Sequence, residues 1–373
     1  MALIFTEEQT MLRDSARDFL NESAPIPHLR SLRDEDNQDR FSRELYAGMS
    51  EMGWPAILVP EEYGGLDYGY CGLGIILEEC GRTLTPSPLL GTALVGVTAL
   101  RKAGSEQQKT ELLPKAASGE LLFALACDET SRHQPDHVET SCIAEHNGFR
   151  LNGRKVAVHD GHIADQLIVS AITDHGISLF LVPPKAQGVK IERYPVLDIA
   201  AAANISFIDV ELPANSLLGE IDAGEAVLTE VLDAARVGIS AELLGLAQEA
   251  FERTVEYIKE RKQFGVPVGS FQGLQHRAAS LFADIELCKS LVIRSLQSLD
   301  GISPGNAELY SATTARLCKT AHLAANEAIQ MHGGIGMTDE FDIGFFLKRC
   351  QILESLYGDH HYHVDRYARL RNY

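Results

Sequence analysis

Apolar residues recur at helical spacing through the first third of the chain. Thr6 precedes this pattern as a plausible N-cap, and Leu12, Ala16 and Phe19 follow it on one face of a helix. Two further stretches with helical spacing lie at 43–53 and 70–84. The pattern therefore predicts a helical domain over residues 1–120.

Short apolar and alternating runs replace the helical spacing near residue 121. The runs LLFALACDE, DQLIVSAIT, ISLFLVPP and NISFIDVEL are each about the length of a strand, and they are separated by turn residues. The Asn152-Gly153 pair within FRLNGRKVAVHDG predicts a tight hairpin turn. Residues 121–220 are therefore predicted to form an all-β domain of the barrel or sandwich kind.

Helical spacing returns near residue 223 and continues to the C-terminus. The stretch from AGEAVL to KERKQFG is one long Ala/Leu/Glu-rich segment, and helical patterns follow over 271–299, 306–332 and 343–356. Long consecutive helices joined by short loops are typical of a helical bundle. We therefore predict a bundle over residues 221–373 and, for the whole chain, an α+β multidomain fold.

Charge and cysteine usage narrow the classes of function. The formal net charge is −19, which disfavours binding to nucleic acid because such a chain repels phosphate backbones. The seven cysteines are scattered without a CxxC pair, so reduced thiols and no metal site are expected. No apolar run is long enough to cross a bilayer, and the N-terminus does not resemble a targeting peptide, so a cytoplasmic protein is expected.

The segment RKQFGVPVGSFQGLQH at 261–276 has more specific residues than the end of a helix requires. Lys and Arg near a helix C-terminus, followed by Gly265 and Pro267, explain a turn but not the whole string. The string resembles the motif of the acyl-CoA dehydrogenase family. VPEEYGG, the LNGRK segment, FIDVELP and AIQMHGGIG also occur in the order and spacing of that family, so the resemblance covers the whole chain.

The resemblance implies a fold and a cofactor. The family has an N-terminal helical domain, a central β-domain and a C-terminal four-helix bundle, and it binds FAD. Arg261 and Gln272 are implied to contact FAD across a dimer interface, Arg261 at the pyrophosphate. Gln330, Gly333 and Gly334 are implied to contact the ADP part, although the two glycines also suit a simple helix C-cap.

The β-domain departs from the family at its flavin-lining positions. Ala157 stands where the family usually has an aromatic residue, and His159 stands where it has a hydroxyl residue. Asp128 lies in the segment that contacts flavin in the family, and the resemblance implies only backbone contacts from this segment. His159 is a further candidate flavin contact, and the alternative is an ordinary structural role.

The LDAARVG segment matches the substrate-binding segment of the family. Asp233 and Arg236 are three residues apart, so they lie on one face of a helix. The resemblance implies that they contact the CoA thioester. The alternative is an ion pair within the helix.

The expected catalytic base is missing from both positions that the family uses. Tyr357 precedes Gly358 where the family has Glu, and the second position holds Ala235. Glu242 is one candidate base because an acid in an apolar helix is costly to bury, with a salt bridge as the alternative. Asp359 is the other candidate, with helix capping as the alternative. A third possibility is that another subunit supplies the base.

These observations leave three hypotheses for function. The first is an FAD-dependent acyl-CoA dehydrogenase that forms a 2-enoyl-CoA and passes electrons to an electron-transfer flavoprotein. The second is a non-catalytic FAD-binding partner subunit of a heteromeric acyl-CoA dehydrogenase, and the third is an oxidase or monooxygenase of the same fold. The expected assembly is a homotetramer or a heterotetramer. The cluster of His360, His361 and His363 lacks the motif of a metal site.

Overall fold

The computed structural model describes residues 3–373, apart from the side chains of residues 194 and 195. The chain forms two compact units, each assembled from separate stretches of sequence. The first contains the described part of Met1–Ser31 together with Tyr70–Thr85 and Arg236–Tyr373. The second contains Leu32–Gly69 and Pro86–Ala235. The three predicted sequence domains therefore do not coincide with the two units.

Helices form at the segments where the apolar spacing predicted them and also at Ile26–Asp34, Glu106–Ala117 and His360–Leu370. In order they are α1 Glu7–Ser23, α2 Ile26–Asp34, α3 Arg43–Glu51, α4 Tyr70–Thr83, α5 Val97–Ala103, α6 Glu106–Ala117, α7 Gly224–Glu260, α8 Gln272–Leu299, α9 Ala307–His332, α10 Ile343–Ser355 and α11 His360–Leu370. Thr6 caps α1 in a capping box with Gln9, as its position suggested. Residues 231–248 of α7 are all buried, as expected for a helix that is apolar on every side.

An eight-stranded mixed sheet forms the core of the second unit. Its strands are β1 Phe123–Ala126, β2 Ser141–Glu145, β3 Gly148–His159, β4 Gln166–Ile172, β5 Ile177–Val182, β6 Val189–Pro195, β7 Ala201–Pro213 and β8 Leu217–Leu218. They pair in the order β6-β7-β3-β2-β4-β5-β8, and β1 lies parallel to β4. Two short strands of the first unit, β9 Lys262–Gln263 and β10 Val266–Pro267, form a separate hairpin.

The predicted hairpin turn at Asn152-Gly153 is wrong. The turn that joins β2 to β3 is His146-Asn147, and Gly148 opens the returning strand opposite Glu145. Asn152 and Gly153 lie inside β3 at a register shift against β7. An Asn-Gly pair favours irregular backbone conformations, and at Asn152-Gly153 the irregular conformation is a β-bulge rather than a turn.

No helix within residues 3–373 combines the length and apolar character that a membrane span needs. This agrees with the absence of a long apolar run in the sequence.

Candidate functional site

Arg236 fixes the turn between α10 and α11. Its guanidinium is almost fully buried, with Nε donating to the Tyr357 carbonyl at 3.1 Å and Nη2 donating to the Tyr362 hydroxyl at 3.1 Å. Tyr357 has a φ of 55° and Gly358 a φ of 112°. A buried cation thus stabilises a left-handed turn that a tyrosine would otherwise rarely adopt.

Asp233, the other predicted substrate contact, is buried in α7. The roles of Asp233 and Arg236 toward a thioester stay predictions. What the structure adds is that Arg236 already has protein acceptors, which account for the burial of its charge.

Glu242 is held by an arginine from a distant part of the sequence. Arg349 Nε lies 3.0 Å and Arg349 Nη2 lies 2.6 Å from Glu242 Oε1, and both side chains are buried. The backbone of α4 passes so closely that a Cβ on Gly81 would lie 2.0 Å from the Glu242 carbonyl oxygen. Glu242 therefore forms the salt bridge that was the alternative to a catalytic role. Its burial suggested a base, but Arg349 compensates for the energetic cost of burying this charge.

Asp359 caps helix α11. Its Oδ1 accepts a hydrogen bond from the Tyr362 backbone N–H at 2.8 Å, and its side chain is exposed. This is the capping alternative that its turn position suggested. Neither carboxylate proposed as a base is therefore an uncommitted group, and Tyr357 stands in the turn where the resemblance expects one.

The Arg261 segment projects from the end of α7. Arg261 is exposed, and among the described residues its side chain has no hydrogen bond or ion pair. Its carbonyl accepts from Val268 N at 2.8 Å, which closes the β9–β10 hairpin. Phe264 at the tip is 91% exposed, and Gln272 begins α8 on the exposed side. The segment offers an unpaired guanidinium directly after the C-terminus of α7.

The glycines at the end of α9 form an open surface. Gly333 has a φ of 66°, and a Cβ built on Gly333 or Gly334 would meet no atom within 4 Å. Gln330, one turn earlier, is also exposed. A flat backbone with no side chain is what the close approach of a cofactor requires.

A ring stack that the sequence did not predict joins these two segments. Tyr257 and His332 stack with ring centroids 4.2 Å apart, and the Tyr257 hydroxyl donates to the His332 carbonyl at 3.3 Å. Tyr257 also accepts the Arg261 backbone N–H at 2.8 Å, while Gly333 follows His332 directly. Burial lowers the pKa of His332, which favours its neutral form in this stack. The stack places the two predicted cofactor segments side by side.

Asp128, one of the predicted flavin contacts in the sheet unit, is hydrogen-bonded to its own neighbours. Asp128 accepts from His133 Nδ1 at 2.9 Å and from Gln134 N at 3.2 Å, and His159 Nε2 lies 3.5 Å from Asp160 Oδ2. Ala157 sits exposed in a β-bulge with a φ of 52°. The Arg261 segment thus fits an anionic cofactor such as FAD, whereas the Asp128 side chain already has partners of its own.

The predicted histidine cluster does not converge. His360 Nδ1 donates to the Ala315 carbonyl at 2.9 Å, His361 is exposed and His363 is buried. Within residues 3–373 the three do not bring their ligand atoms to one point.

Comparison with known proteins gives consistent matches along the chain. Family models described as the N-terminal, middle and C-terminal domains of acyl-CoA dehydrogenase match residues 6–120, 124–210 and 222–370. A probable acyl-CoA dehydrogenase of Bacillus subtilis, YngJ, is 31% identical, and the match covers 94% of each chain.

Solved structures agree with these matches. The acyl-CoA dehydrogenase of Geobacillus kaustophilus is 28% identical and superposes with a TM-score of 0.91 over 100% of both chains. A variant of the steroid ACAD Tcur3481-Tcur3483 is 27% identical, with a TM-score of 0.90 over 98% of both chains.

Proposed function

Because the chain belongs to the acyl-CoA dehydrogenase family, an enzyme class of flavoprotein oxidoreductases, we propose that it serves the FAD-dependent α,β-dehydrogenation of an acyl-CoA thioester. The product would be a 2-enoyl-CoA, and the electrons would pass to an electron-transfer flavoprotein. The acyl group is left open. The assembly would be a tetramer of identical chains or of two kinds of chain.

The observation that carries this proposal is the surface made by Arg261 and the α9 glycines. It combines an unpaired guanidinium, two exposed amides and an uncovered backbone, and the Tyr257–His332 stack holds these groups together. A guanidinium can bind two oxygens of a diphosphate at once. Arg261 would hold the pyrophosphate, and Gln330 with Gly333 and Gly334 would lie along the ADP part.

The reaction requires two kinds of protein group around the thioester. A carboxylate must remove the α-proton, and backbone N–H groups must polarise the carbonyl as charge develops on its oxygen. Bound FAD supplies a hydride acceptor for the β-carbon. Arg236 would act by holding the 357–358 turn in the conformation that presents its backbone.

A second function, a partner subunit that performs no proton abstraction itself, is favoured by the state of the carboxylates. Glu242 is paired with Arg349, Asp359 caps α11, and Tyr357 occupies the turn. The Asp128 side chain is also bound internally, to His133 and to the Gln134 backbone N–H. Such a chain would contribute Arg261 to a flavin site whose base belongs to a different subunit.

The test is anaerobic reduction of the flavin by a panel of acyl-CoA thioesters. The purified chain would be assayed alone and after co-expression with candidate partner chains of the same family. Bleaching of the chain alone supports the complete enzyme, and bleaching only in the mixed assembly supports the partner subunit. Rapid reoxidation by oxygen would instead indicate an oxidase or monooxygenase. A chain that binds no FAD in any assembly would contradict the proposal.

A further inference from the structure

A cluster of three different metal-ligating side chains lies at the end of β1. Cys127 and Asp128 follow the strand directly, and the loop returns to bring His133 against them. One ligand atom from each residue lies within 4.8 Å of the other two. The side chains of His133 and Asp128 are 4% and 20% exposed, and Cys127 is buried. The cluster is thus sheltered but open on one side.

The loop that carries the cluster is held in place by other residues. Glu129 accepts the backbone N–H groups of Glu139 at 2.6 Å and of Thr140 at 2.9 Å, which closes the loop at its base. The same carboxylate accepts from Lys155 Nζ at 2.6 Å, and Lys155 also donates to Ser170 Oγ at 2.9 Å. Lys155 Nζ also donates to the Cys127 carbonyl at 3.4 Å, and its charge is balanced by the Glu129 carboxylate. Fixed supports of this kind preorganise a ligand set.

The ligand types select a class of metal. A thiolate, an imidazole nitrogen and a carboxylate oxygen suit a borderline transition metal and do not suit Mg²⁺ or Ca²⁺, which prefer oxygen ligands alone. Three protein ligands with a fourth position open to water is the arrangement of a four-coordinate zinc site that is not fully closed. The net charge of −19 also favours attraction of a cation.

We propose that Cys127, Asp128 and His133 bind a divalent transition-metal ion, with Zn²⁺ as the preferred ion. On binding, the Cys127 thiol would release its proton to solvent and become a thiolate ligand. His133 would remain neutral by carrying its one proton on the ring nitrogen that does not bind the metal. The His133–Asp128 hydrogen bond would be replaced by coordination of both residues to the ion.

This site is independent of the proposed dehydrogenase function. The resemblance assigns flavin contacts to the backbone of this segment, whereas the metal would use side chains. The sequence predicted no metal site because its cysteines form no pair. The spacing Cys-Asp-x4-His belongs to no common zinc motif, and a short loop is what brings the three residues together.

The experiment is metal binding by the full-length chain in metal-free buffer. Zn²⁺ content after dialysis and Co²⁺ titration, read as thiolate-to-cobalt charge-transfer and ligand-field absorption, are expected to show one ion per chain. Cys127→Ser should remove the charge-transfer band, and the double variant Asp128→Asn/His133→Gln should weaken binding at least tenfold. Binding should also weaken as the pH falls, because protons compete for the thiolate and the imidazole.

Matched controls lie close to the cluster. Cys142→Ser changes a buried cysteine of β2, and His137→Gln changes an exposed histidine of the same loop. Both should keep full Zn²⁺ stoichiometry and the Co²⁺ spectrum. The proposal is overturned if the unmodified chain binds no Zn²⁺ or Co²⁺, or if the cluster variants bind as the controls do. If Cys127→Ser does not fold, the double variant decides alone.

Discussion

At the residue scale, Glu242 shows what can and cannot be read from a sequence. An acid in the run GISAELLGLA is recognisably unusual, so sequence reasoning selected the right residue as one that needs a partner. It could not select Arg349, which lies 107 positions later on a different helix. Pairing of this kind depends on helix packing, which local spacing does not encode. Asp359 was easier, because capping is decided within four residues.

Replacing Glu242 by Gln should destabilise the fold by about 3–5 kcal/mol, because it leaves the buried Arg349 cation without its counter-charge. Chemical denaturation monitored by circular dichroism measures the change. Glu286→Gln, which breaks a more exposed pair with Lys289, should cost at most about 1 kcal/mol. Equal losses in the two variants would show that the Glu242–Arg349 pair has no special role.

Arg261→Ala should lower FAD affinity about ten- to a hundredfold, because it removes a charge-assisted contact worth about 1.5–3 kcal/mol. Lys262→Ala is the matched control, since Lys262 is the adjacent exposed cation of the same turn. Flavin retained after extensive dialysis is the measurement. If both variants retain stoichiometric flavin, Arg261 is not a cofactor ligand.

At the element scale, helices were easier to place than the turns between strands. Helix α4 was expected at 70–84 and forms at Tyr70–Thr83, because one buried face imposes its period over many residues. The β2–β3 turn depended on two residues, and the Asn-Gly signal pointed to Asn152-Gly153, whereas the turn forms at His146-Asn147. Its position follows from the pairing of Glu145 with Gly148, and such a register is set by the partner strand.

A cavity of about 350 Å³ lies among helices α1, α4, α7 and α8 of the first unit, and Glu78 on α4 lines it together with Arg82, Gln248 and Lys289. Burial, followed by the adjacent Glu79 carboxylate, raises the pKa of Glu78 to about 7. The folded state therefore favours the protonated form. The resulting stability is complete below the unfolded pKa near 4.5 and is lost as the pH rises through about 7.

Glu78→Gln should remove this pH dependence. The free energy of unfolding of the unmodified chain should fall between pH 5 and pH 8 relative to that of the variant, and urea denaturation across this range measures both. Glu252→Gln, on the rim of the same cavity, serves as the control for a general change of charge. Parallel curves for the unmodified chain and Glu78→Gln would contradict the assignment.

At the scale of the whole molecule, the sequence predicted the order helical, β, helical but not the way its stretches combine. Helices α1 and α4 join the C-terminal helices in one compact unit, and the intervening stretches join the sheet. The hydrophobic period of a segment predicts a helix or a strand, but it does not predict which other helix or strand packs against it. The segments of the cofactor surface were predicted individually, and their union through Tyr257 and His332 became visible only in the fold.

Helix α8 predicts an assembly. It carries the large apolar side chains of Phe282 and Leu287, which are 53% and 59% exposed, and Phe271 directly before it is 42% exposed. Exposed apolar side chains on a helix of a bundle suit an interface with another chain. Phe282→Glu/Leu287→Glu should dissociate the proposed tetramer to smaller species in sedimentation velocity. Met11→Glu, an exposed apolar residue of α1, should leave the assembly intact. A monomeric unmodified chain at micromolar concentration would reject the prediction.

The clamp of Arg236 on the 357–358 turn separates two properties of that position. Arg236 on α7 stabilises the left-handed backbone of the turn by donating to the Tyr357 carbonyl oxygen. This contact does not depend on which side chain position 357 carries. Under the proposed partner-subunit function, the turn would keep the backbone of an active site without the carboxylate that the resemblance places there. Tyr357→Glu tests this by adding a carboxylate to an otherwise unchanged turn. Flavin reduction by an acyl-CoA in this variant, and not in the unmodified chain, would show that the rest of the site is complete.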